Sequence, residues 1–73
     1  MTEVYSSELN QVVANGDEYR KVSNHYEVAN CLPLNGPQVG GRYILRHTGR
    51  PQISVKCTQQ GAAGIQTAHF TEV

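Results

Sequence analysis

Three runs in the second half of the chain, Arg42 to Thr48, Gln52 to Thr58 and Gly64 to Val73, alternate apolar and polar residues with the two-residue period of a half-buried strand. Gly49-Arg50-Pro51 and the stretch from Gln59 to Ala63 separate them, so the pattern predicts a three-stranded antiparallel meander. A first turn centred on Arg50 pairs Tyr43 with Cys57, Leu45 with Val55 and His47 with Ile53. A second turn near Gly61 places Ile65 beside Cys57, Thr67 beside Val55 and His69 beside Ile53. One face is then apolar across all three strands. The other carries Arg42, Arg46, Gln52, Ser54, Lys56 and Gln66, interrupted by Ile44, Ala68 and Phe70. Slipping the first pair by one residue would turn Ile53, Val55 and Cys57 to water and Arg42 and Arg46 inward, a large penalty that fixes the assignment of faces.

The first half is less regular. Ser6-Ser7-Glu8 through Ala14, closed by Asn15-Gly16, has a hydroxyl N-cap, an acid in the first turn and a left-handed stop, and predicts a short helix with Leu9, Val12 and Val13 on one face. A helix of about eight to ten residues does not persist alone and must dock on an apolar surface. Glu18 to Val22 and Asn24 to Leu32 read as two modest strands, with Tyr26, Val28 and Leu32 on one side. The loop from Pro33 to Gly41, rich in Gly and Pro, divides the halves. The expected fold is α+β: a short N-terminal helix packed on a small antiparallel sheet of about five strands, in one domain over residues 1–73. The alternative is a small five-stranded β-barrel with the helix plugging one end.

Composition sharpens this picture. Only sixteen of the 73 residues are Val, Ile, Leu or Phe, so the core is thin and extra support is expected from a disulfide, a metal or association. Cys31 and Cys57 are separated by 25 intervening residues and fit neither a C-x-x-C redox pair nor a zinc knuckle; reduced, partly buried thiols are expected. The uncharged stretches, Cys31 to Gly41 and Gln59 to Phe70, are short and rich in Gly, Pro, Gln or Thr, unlike a membrane span. The start lacks a basic or apolar leader, and cytoplasm is the expected compartment.

Candidate chemistry is sparse. His25, Cys31, His47, Cys57 and His69 do not stand at the two-to-four-residue spacing of structural zinc sites, and the register above keeps His47 and Cys57 about 13 Å apart. Ordinary half-buried histidines, with no metal and no cofactor, are expected. Glu27 and His25 are neighbours only in sequence, with adjacent strand residues pointing to opposite faces. No G-x-S-x-G elbow occurs, and a non-enzyme is expected.

Charge is unevenly divided. Residues 1–41 carry a net −3 and residues 42–73 a net +3, within an overall charge of zero. The candidate binding residues are Arg42, Arg46, Arg50 and Lys56, with Tyr43 and Phe70 available for stacking. The plain alternative is a solvated outer sheet face. The expected function is that of a small non-catalytic protein-binding module, regulatory, accessory or inhibitory, that grips an acidic patch on a larger partner. Nucleic-acid binding by the basic hairpin 42–58 is the alternative, disfavoured by a pI near 6.8. Self-association into a homodimer or other homo-oligomer is a further option for so thin a core, and no membrane partner is expected.

Overall fold

Eight strands make up the computed structural model, which describes residues 1–60 and 67–73. They are β1 (Thr2–Ser6), β2 (Gln11–Gly16), β3 (Tyr19–Val22), β4 (His25–Val28), β5 (Leu32–Pro33), β6 (Arg42–His47), β7 (Ile53–Gln59) and β8 (Ala68–Glu72). All pairings are antiparallel, in one sheet of order β3-β4-β8-β7-β6-β1-β2-β5. Laid flat, eight strands would spread about 34 Å at the usual ~4.8 Å spacing and bury little. The molecule instead measures 29 × 27 × 22 Å, and Val13 and Ala14 of β2 share one core with Tyr26 and Val28 of β4, from towards the opposite end of the strand order. The sheet therefore rolls onto itself. The Asp17 amide donates to the Ala29 carbonyl and the Ala29 amide to that of Glu18, tying the β2–β3 connection to the end of β4.

The expected α+β fold, with an N-terminal helix on about five strands, is corrected: the protein is all-β, the strands number eight, and no helix occurs among the described residues. The capping signal at Ser6 is real but local. Its Oγ accepts from the Leu9 amide at 3.2 Å, making a single turn that Asn10 ends at φ 54°. The chain then returns as β2, antiparallel to β1. Val13 is the extra residue of a β-bulge, since Val4 lies opposite Ala14 and Tyr5 opposite Val12. The bulge lets Val13 and Ala14 both be buried and breaks the period-two alternation that would have advertised a strand.

The meander of β6, β7 and β8 is present. Between β6 and β7 the register differs from the expected one by two residues, with Tyr43 opposite Val55 and Leu45 opposite Ile53. An even shift preserves faces, so Tyr43, Leu45, Val55 and Cys57 point inward while Arg42 and Lys56 are exposed. Between β7 and β8 the shift is odd. Phe70 sits opposite Cys57, and Ala68 and Phe70 are fully buried, whereas His69 faces outward between them. The expected partner of Cys57, Ile65, lies outside the described residues, as do Gln66 and the turn at Gly61. The strands expected over 18–22 and 24–32 are found shorter, as β3 and β4, and Leu32 is 54 % exposed in the edge strand β5 rather than inward beside Tyr26 and Val28.

Candidate functional site

The outer face of β6 and β7 is where the sequence placed its basic residues, and the structure divides them into two kinds. Arg42 and Lys56 sit directly opposite each other across the two strands and are exposed. Among the described residues neither makes an ion pair or a side-chain hydrogen bond. Arg46 and Arg50 are instead committed to the fold. The Arg46 guanidinium lies 3.7 Å over the Tyr5 ring, with its Nε buried and without a hydrogen-bond partner. Arg50 stacks 4.9 Å from the Tyr19 ring and reaches Glu18 at 3.7 Å, linking the β6–β7 hairpin to the start of β3. An open polar depression of about 360 Å³ lies between Glu3, Arg46, His47 and Arg50.

The charge asymmetry of the sequence is thus partly neutralised in space. Glu18 lies 3.8 Å from His47 as well as beside Arg50, and Glu3 stands opposite Arg46 across β1 and β6. The two aromatic candidates are enclosed. Phe70 has no exposed surface, and Tyr43 is 9 % exposed, its hydroxyl accepting from the Gln38 amide at 2.8 Å and its ring edge-on to Phe70 at 6.4 Å. Neither presents a ring for stacking against a ligand.

A second cluster escapes the sequence reading. His25 and Glu27 alternate along β4 with the buried Tyr26 and Val28, and so share the outer face. The expected opposition of these two side chains is therefore corrected: they are two residues apart, not one. On the neighbouring strand His69 sits opposite Glu27 and projects to the same side. His25 Nε2 and His69 Nδ1 are 2.9 Å apart, and His25 Nε2 is 3.9 Å from Glu27 Oε2. Three donor atoms of the kinds that bind transition metals, one from each residue, lie within 4.8 Å of one another, all on half-buried side chains. The one available signal was the His25-Tyr26-Glu27 spacing; the contribution of β8 required the correct register.

Both cysteines are free and buried. Burial pushes the Cys31 thiol up, and the neighbouring Cys57 adds to that shift. Burial likewise pushes Cys57 up, partly opposed by the Gln59 backbone amide. Both thiols should react with a disulfide reagent at least about a hundredfold more slowly in buffer than in denaturant, because the thiolate is the nucleophile. With folded-state values raised, the stability contributed by the neutral thiols is complete below the ordinary thiol range and declines as pH rises beyond about 8.5. Urea midpoints that stay level from pH 7.5 to 10 would contradict this burial.

No family model, curated protein or solved structure matches the chain. Among the described residues no helix is long and apolar enough to cross a membrane.

Proposed function

We propose that the protein is a small non-catalytic binding module, regulatory, accessory or inhibitory in role, that docks on an acidic patch of a larger partner protein through Arg42 and Lys56. The observation that carries this reading is their pairing. Like charges directly opposite on neighbouring strands are destabilising, and this small domain keeps such a pair exposed with no ion-pair partner among its described residues. A partner's carboxylates would remove the repulsion and gain charge-assisted hydrogen bonds. Arg46 and Arg50, already held on aromatic rings, form the fixed margin of the surface.

Other features favour a protein partner over the alternatives. Tyr43 and Phe70, the two side chains expected to stack on bases, are buried, which weakens that form of the nucleic-acid reading. The edge strands carry Pro33 on one side and Arg20 and Lys21 on the other, devices that oppose growth by strand pairing between copies. Two buried free thiols suit a reducing compartment such as the cytoplasm.

Affinity capture from the source cells tests the proposal. The wild-type chain is expected to retain a discrete acidic partner, and the double reversal Arg42→Glu/Lys56→Glu to lose at least about tenfold of it with an unchanged melting midpoint, since both side chains are exposed. Equal capture by the two proteins would refute it. Strong retention on a phosphate-rich column persisting well above about 0.1 M salt, with a steep salt slope, would instead favour nucleic acid.

A further inference from the structure

We propose that His25, Glu27 and His69 form a binding site for a divalent transition-metal ion of the zinc class, clipping β4 to β8 on the outer face of the sheet. The donor set is two imidazoles and a carboxylate, a combination that zinc accepts when water completes its shell. The placement follows from the backbone. Residues two apart on β4 project to one side, and His69 enters from the adjacent strand directly opposite Glu27, so all three donors converge with no loop rearrangement.

The distances are those of a site needing small adjustment. Two nitrogens on one tetrahedral zinc stand about 3.3 Å apart, given bonds of roughly 2.0–2.1 Å. His25 Nε2 and His69 Nδ1 are 2.9 Å apart, so the rings need to part by a few tenths of an ångström. The χ2 torsion of histidine is soft enough to permit this. In the metal-free chain, contact at 2.9 Å requires one of the two nitrogens to carry a proton and the other to offer its lone pair. Metal binding requires both lone pairs, so the donor imidazole must change tautomer, moving its proton to the far ring nitrogen. Glu27, 3.9 Å from His25 Nε2, then swings in as the anionic ligand.

The site also has a physical purpose within this chain. Both cysteines are free, so no disulfide supports the thin core. The ion would bridge two neighbouring strands across Glu27 and His69, stabilising the register that buries Phe70 and Ala68. Three protein ligands leave at least one position open to solvent, as in zinc sites that exchange a water.

Titration calorimetry with Zn2+ alone is expected to show one ion per chain with a micromolar dissociation constant, and saturating Zn2+ to raise the melting midpoint by several degrees. His25→Gln and His69→Gln should each weaken binding about a hundredfold and Glu27→Gln at least tenfold, whereas His47→Gln, altering the histidine beside Glu18, should leave it unchanged. Co2+ should give visible absorption of a low-coordinate ion, lost in His69→Gln. Should a histidine variant fail to fold, nitrogen-detected NMR of the wild-type imidazoles decides: zinc must shift the His25 and His69 ring nitrogens and spare those of His47. Binding that persists in both histidine variants, falls equally in His47→Gln, or shifts all three imidazoles alike would overturn the proposal.

Discussion

Phe70→Ala is expected to lower the melting midpoint by at least about 15 °C and to bring the chain close to unfolding at room temperature. Phe70 is the only phenylalanine in the chain and is fully buried, opposite Cys57 on β7 and Tyr26 on β4, with Tyr43 edge-on to its ring. Truncating a buried phenylalanine to alanine costs about 3–5 kcal/mol, because the lost transfer energy is joined by a cavity that the surroundings only partly fill. A domain of this size has roughly 4–11 kcal/mol in all, and each kcal/mol moves its midpoint by about 4–8 °C. Phe70→Leu, which keeps most of the volume, should cost under about 1.5 kcal/mol. His69→Ala is the necessary companion. Its side chain faces outward and is only half-buried, so in metal-free buffer its removal should shift stability by less than about 1 kcal/mol. Thermal melts showing His69→Ala more damaging than Phe70→Ala would mean that β8 presents its other face to the core.

That comparison turns on the one place where the alternation of the sequence misled. From Arg42 to Cys57 the faces were legible, since the hydrophobic pattern and a short hairpin at Gly49 left only even shifts open, and an even shift moves no side chain across the sheet. The second turn gave no such anchor. Taking Ile65 as an inward residue set the parity against Ala68 and Phe70, and the structure buries both Ala68 and Phe70. The same odd shift that encloses Phe70 turns His69 out beside His25 and Glu27, so the ligand cluster could not be assembled from sequence spacing. At the N-terminus the obstacle was different. A capping hydroxyl at Ser6 and a bulge at Val13 imitate a helix start followed by an apolar helical face, whereas both belong to a tight β1–β2 hairpin. The charged residues were placed on the correct side of β6 and β7, yet which of them were free depended on rings and acids from β1 and β3 that only the rolled sheet brings near.

Gly16→Ala tests that rolling directly and should cost about 2–3 kcal/mol, or some 10–20 °C in melting midpoint. Gly16 ends β2 and its φ is not among the positive ones, so alanine suits the local backbone and would ordinarily be neutral or mildly stabilising. The obstacle is tertiary. An added Cβ would overlap the Val28 side chain and come within 2.8 Å of the Ala29 carbonyl oxygen, both at the end of β4. The carbonyl cannot retreat freely, because it accepts the Asp17 amide at 3.0 Å in the link that closes the sheet. Gly40→Ala is the informative contrast: that glycine has φ 89° with open space around it, so its substitution carries only backbone strain, on the order of 1 kcal/mol. Val28→Ala combined with Gly16→Ala should be less damaging than the sum of the two, since the smaller side chain relieves part of the overlap while the carbonyl contact remains. Additive losses, or a Gly16→Ala protein as stable as wild type, would separate β2 from β4 and open the sheet that encloses Val13, Tyr26 and Val28 in one core.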